Sequence, residues 1–167
     1  MNKNIRAILA GFLVVVLSGI LAACGSTAKT TSTTSTPLPT GPQTLPIVDS
    51  TGATPNYISI PLETNQNYTF IIAKNMTAAS VTGYFNCTGG SPNLIEVYLM
   101  NDATYAKWLK NPGGQSTILY DSEEMSAGAL DEENLPPGTY HLIFSNKSTN
   151  AAQDVVTKIV LNWTYSQ

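Results

Sequence analysis

From Val155 to Tyr165 the chain alternates with a period of two. Val155, Thr157, Ile159, Leu161, Trp163 and Tyr165 fall on one side, and Lys158, Asn162 and Thr164 on the other. Successive strand side chains point to opposite faces, so this run reads as a strand with one face in a core and one in water. Ahead of it, the turn Leu135-Pro136-Pro137-Gly138 leads into Tyr140, Leu142 and Phe144, which alternate with His141, Ile143 and Ser145. The two form a closing strand pair in which Tyr140, Leu142 and Phe144 face the same core as Ile159, Leu161 and Trp163. By the same parity His141 lies on the solvent side of its strand.

Earlier blocks repeat the pattern between turn signals. Tyr57–Leu62, Gln66–Ala73 and Ser80–Cys87 each alternate, the last with Val81, Gly83, Phe85 and Cys87 on one face. Thr88-Gly89-Gly90-Ser91-Pro92 then breaks the chain. Leu94–Met100 sets Ile95, Val97 and Leu99 against Glu96, Tyr98 and Met100. One short helix is expected over Ala103–Lys110, capped by Asp102 and stopped by Asn111-Pro112-Gly113-Gly114. Thr117–Tyr120 and Met125–Leu130 complete the series. About seven or eight short strands with one short helix define an all-β class, an antiparallel β-sandwich.

Leu135-Pro136-Pro137-Gly138-Thr139-Tyr140-His141-Leu142-Ile143-Phe144-Ser145-Asn146, followed by an alternating strand, is similar to the end of GOLD-like and bacterial pre-peptidase C-terminal domains. In both, a Gly-Thr-Tyr or Gly-Glu-Tyr step opens a core strand of a small extracytoplasmic β-sandwich. The strand Ile95–Leu99 with Tyr98 also resembles their preceding core strand. The likeness spans about residues 65–165 and implies a fold, with no catalytic residue. The likeness departs from both types in that neither a coiled coil or cytoplasmic tail, as in GOLD proteins, nor an attached protease, as in the pre-peptidase type, is expected with this domain.

The beginning of the chain has a different character. Lys3 and Arg6 precede an uncharged run from Ala7 to Ala23, with Phe12 to Leu17 as its apolar centre. This fits a secretory signal or a short membrane helix. Leu21-Ala22-Ala23-Cys24 closes the run and resembles the lipobox of prokaryotic lipoproteins. The resemblance implies cleavage before Cys24, a diacylglyceryl group on its sulfur and palmitate-type acylation of the new N-terminus. Gly25 to Pro46 is Thr/Ser-rich and then Pro-spaced, with almost nothing to bury, so it reads as a disordered tether. As a flexible coil it would hold the domain roughly 25 Å from the membrane. The expected organisation is a signal peptide over 1–23, a lipidated Cys24 with its tether over 24–46, and a β-sandwich over 47–167. The expected location is a cell membrane, lipid-anchored and facing outside the cytoplasm.

After such cleavage the chain keeps six Lys, no Arg and 11 acidic residues. Without clustered cations, nucleic-acid binding is excluded, and attraction to anionic lipid adds nothing to the anchor. Lipid on Cys24 leaves Cys87 without a disulfide partner, so the core alone must hold the fold.

No Gly-x-Ser-x-Gly elbow, phosphate loop or multi-His site occurs in the sequence. A Cys87–His141 pair would need both groups in one layer, and parity puts them in different ones, so Cys87 reads as a small buried hydrophobe. Asp121, Glu123, Asp131 and Glu133 lie in acidic clusters one strand-turn apart, where Ca²⁺ would find oxygen ligands; the alternative is solvated surface. Tyr84, Tyr98, Tyr105 and Trp108 are candidate stacking surfaces for sugar rings, or else Tyr105 and Trp108 cover the open end of the sandwich. The expected function is a non-enzymatic binding or interaction domain without a cofactor, tethered through Cys24 and directed at an envelope protein or glycan. A carbohydrate-binding module is the alternative, ahead of a Ca²⁺-binding sandwich or a small hydrolase.

Overall fold

The computed structural model describes residues 38–112, 117–147 and 149–166. The Leu21–Cys24 box and the tether up to residue 37 lie outside them. In chain order the elements are β1 (Gln43–Asp49), β2 (Ile58–Ile60), β3 (Thr64–Ile72), β4 (Met76–Gly89), β5 (Glu96–Asn101) and α1 (Asp102–Trp108). They continue with β6 (Tyr120–Asp121), β7 (Ala127–Glu132), β8 (Gly138–Asn146) and β9 (Gln153–Tyr165). Two antiparallel sheets face each other, as the alternation predicts. One is ordered β1-β9-β4-β7, with β2 also paired to β9; the other is β3-β8-β5-β6.

β9 lies at the centre of the five-stranded sheet, and its odd-numbered residues from Val155 to Trp163 are buried. They meet Tyr140, Leu142 and Phe144 of β8 in one core with Val81, Phe85, Val97 and Leu99. The Phe85 and Phe144 rings cross that core edge to face, 6.5 Å apart. The shared core is as expected, but β8 and β9 are not a hydrogen-bonded pair. β8 runs between β3 and β5 in the other sheet, so the two strands oppose each other across the sandwich. Burying both apolar faces requires only that they face one another, and layer-to-layer packing achieves this.

Gly83 marks the tightest contact of β4 with β9. Its φ is +152°, and a Cβ there would run into the Lys158 carbonyl oxygen and the Ile159 backbone.

The folded domain starts ahead of the expected boundary at Ile47. Gln43 to Pro46 pair with Trp163 to Val160 in β1, so they belong to the sheet rather than the tether. Pro46 fits because β1 is an edge strand, where a missing N–H on the open side leaves no ladder bond unmade. The helix is capped by Asn101 rather than Asp102: the Asn101 side chain accepts the Thr104 N–H at 2.9 Å. Asp102 instead stands in the first turn, where its charge suits the helix dipole.

Candidate functional site

The outer face of the four-stranded sheet carries most of the side chains with chemical potential. Strand parity that sends Tyr140, Leu142 and Phe144 inward sends His141, Ile143, Ser145 and Lys147 outward in one row along β8 and its end. On the neighbouring β5, Glu96, Tyr98 and Met100 form a second outward row, with Glu96 opposite Ser145, Tyr98 opposite Ile143 and Met100 opposite His141. Helix α1 lies on these rows. Met100, Trp108 and Ile143 make a second small core beneath it, with Tyr98, Tyr105 and Ile118 packed around them.

This corrects the placement of His141 in water. The residue points away from the main core, as parity requires, yet it is only 6% exposed because α1 covers it. Its ring stacks under Tyr105, with centroids 3.9 Å apart. Asn67 Nδ2 and Thr69 Oγ1, both on β3, lie 3.2 Å from His141 Nδ1. An amide nitrogen is a donor, so Nδ1 accepts and Nε2 carries the proton. Nε2 then donates to Asp102 Oδ1 at 3.2 Å. Asn67 Nδ2 also donates to the Tyr105 hydroxyl at 3.3 Å, while Asn67 Oδ1 is buried without a partner. Asp102 is 73% exposed at its side chain, so this contact is a weak surface pair. Sealed under Tyr105, the imidazole has no open side for a substrate. It acts as a clamp joining α1 to β3 and β8.

Cys87 is equally committed. It is buried on the inner face of the other sheet, its Sγ–H donates to Gln153 Oε1 at 3.0 Å, and burial pushes its thiol above the ordinary range. Cys87 and His141 therefore belong to different layers, as expected.

The four candidate aromatics do not form one platform. Tyr84 is 44% exposed but stands on β4, in the opposite sheet from Tyr98. Tyr98, Tyr105 and Trp108 do gather under α1, with Trp108 5.7 Å from Tyr98 and 6.1 Å from Tyr105. Trp108 is only 4% exposed. The pair Tyr105 and Trp108 thus covers a sheet face, not the open end of the sandwich. The acidic candidates also separate: Asp121 ends β6 of the four-stranded sheet, and Asp131 lies on β7 of the five-stranded one. Asp121 Oδ1 accepts the Glu123 N–H at 2.9 Å, and among the described residues no three acidic, His or Cys groups form a metal cluster.

Beside the end of α1 lies a cavity of about 230 Å³, lined by Glu96, Tyr98, Trp108, Pro112, Ser145 and Lys147. It lies past Trp108, the last residue of α1, beside the Glu96–Ser145 pair of the sheet. Burial, with Asp121 and Glu124 nearby, pushes the Glu96 carboxyl above its ordinary range. Burial, followed by the adjoining Glu96, pushes the Tyr98 hydroxyl up as well. Lys147 Nζ stands over the Trp108 ring, 6.0 Å from its centroid. Glu96, Ser145 and Lys147 escaped the sequence reading, although the period-two row His141, Ile143, Ser145, Lys147 places two of them on one face. A second hollow of about 200 Å³, lined by Ala78, Ser80, Glu133 and Asn134, adds no convergent chemistry.

Compared with protein-family models and with curated proteins, the chain matches none.

Proposed function

We propose that the chain is a membrane-anchored extracytoplasmic lipoprotein that displays a non-enzymatic β-sandwich as a binding or interaction domain, similar to GOLD-like and pre-peptidase C-terminal domains. The observation that carries this reading is Cys24 standing directly after Leu21-Ala22-Ala23, between an uncharged apolar run and a Thr/Ser/Pro-rich stretch that ends at the first strand. The side-chain chemistry adds support, since His141 and Cys87 are both held in packing roles. Anchoring then comes from lipid on Cys24, and the partner is an envelope component presented to the domain.

The test is Cys24→Ala. The variant should stay at precursor size, fail to incorporate labelled palmitate and leave the membrane fraction or stall in it uncleaved. Maturation of the variant to the normal size with retention in membranes would refute the anchor.

A carbohydrate-binding module is the second reading, favoured by Tyr98 and Trp108 beside the cavity. Stacking on a sugar needs an open ring face, and Trp108 offers little, so this reading ranks below the first.

A further inference from the structure

The cavity beside α1 combines four features that the packing of the domain does not require. Trp108 and Tyr98 form a tilted aromatic wall, with planes 57° apart. Glu96 stands against Tyr98, and among the described residues its carboxylate forms no ion pair. Ser145, only 2% exposed, lines the cavity as well. The Lys147 ammonium stands over the Trp108 ring, 6.0 Å from its centroid, so the small part of the ring that borders the cavity already faces a cation.

The charges decide what kind of ligand suits this wall. Glu96 lines the cavity and Asp121 stands opposite Tyr98 across the β5–β6 pair, while among the described residues lining the cavity Lys147 is the one cation. A second cation relieves that imbalance, whereas an anion aggravates it. An aromatic face attracts an ammonium through its quadrupole, more strongly once water is displaced. A primary ammonium also has three N–H donors, and the cavity supplies three acceptors in the Glu96 carboxylate, the Ser145 hydroxyl and the Tyr98 oxygen.

Resting on the reading of the domain as a binding module, we propose that this cavity binds the primary ammonium group of a small organic amine, seated between Trp108 and Glu96. Lys147 occupies part of the same space and competes with the ligand.

The experiment titrates the full chain in detergent with n-butylammonium chloride, following the Trp108 indole N–H by NMR. n-Butanol serves as the neutral isostere and tetramethylammonium as a cation without N–H donors. Butylammonium should bind at least about tenfold more tightly than n-butanol, with tetramethylammonium between them. Glu96→Gln should weaken butylammonium by at least about fivefold, and Lys147→Ala should tighten it by a few-fold. Both positions border open space, so the folded state should tolerate each change, which an unchanged NMR spectrum away from the cavity checks. Equal binding of butanol, no saturation by about 100 mM, or indifference to Glu96→Gln overturns the proposal. Any of these results leaves the Cys24 processing experiment untouched, so failure of the ligand and failure of the anchor are separable.

Discussion

Replacing His141 by Ala tests whether α1 is fastened to the sheet as described. The imidazole is the acceptor for both Asn67 Nδ2 and Thr69 Oγ1. Without it, Thr69 loses a part-buried partner, and Asn67, already carrying an unpaired Oδ1, keeps only Tyr105. Leaving such a group unsatisfied costs about 1–3 kcal/mol. Loss of the 3.9 Å stack with Tyr105 adds about 0.5–1.5 kcal/mol. The exposed Asp102 contributes under about 1 kcal/mol, because water replaces its partner. Water entering the vacated space offsets part of this, so the expected cost is about 2–4 kcal/mol.

Urea denaturation measures that cost, and hydrogen exchange locates it. The amide of Leu109, bonded to the Tyr105 carbonyl at 2.9 Å, should lose protection before any amide of β9 does. A cost under about 0.5 kcal/mol would mean that the outer face of β8 is wet and α1 does not cover it. The clamp would then be wrong while the register of β8 stood. A cost with uniform loss of protection would place His141 in the main core, contradicting the parity of the strand.

Phe144→Ala removes a ring that meets Tyr68 and Phe85 edge to face, and should cost about 3–5 kcal/mol in the same denaturation assay. Gly83→Ala sets a methyl against the Lys158 carbonyl at a positive φ; it should cost more than about 2 kcal/mol, and a neutral result would refute the close approach of β4 to β9. Burial, reinforced by Asp121 and Glu124, raises the Glu96 carboxyl above its ordinary 4.5, so the folded state holds more proton than the unfolded one just above that pH. Stability contributed by the protonated form is therefore lost as pH rises through the window above 4.5, and Glu96→Gln should flatten that part of the stability–pH curve. A curve with the same slope in both proteins would count against the buried carboxyl.

The inner faces of the sandwich were legible because period-two alternation reports which side of a strand is apolar, and the inward positions of β8 from Tyr140 to Phe144 and of β9 from Val155 to Trp163 are all buried. The closing pair was placed in one sheet because sequence proximity favours hairpins, while alternation says only that two faces share a core. The start of β1 was missed for a related reason. Pro46 reads as tether composition, and only the edge position of β1 makes a proline compatible with the ladder.

The outer face of the four-stranded sheet was the hardest part to read, and the cause is physical. His141 has the polarity of a wet residue, but Ile143 on the same side, with Met100 and Tyr98 on the facing strand, makes that surface half apolar. A fully solvated face has little reason to carry them, so the cover was implied without saying what supplied it. α1 supplies it from a stretch whose own sequence does not reveal where it lands. At 1.5 Å per residue its seven residues span about 10 Å, while the nine residues of β8 span about 30 Å. A helix that short cannot cover the whole row from His141 to Lys147. It clamps the His141 end and reaches no further than Trp108, whose side chain walls the cavity beside Glu96 and Ser145. The buried histidine and the charged cavity thus follow from one mismatch of length: the part of the face under α1 became a second core, and the part beyond its last residue borders a cavity lined by Glu96 and Lys147.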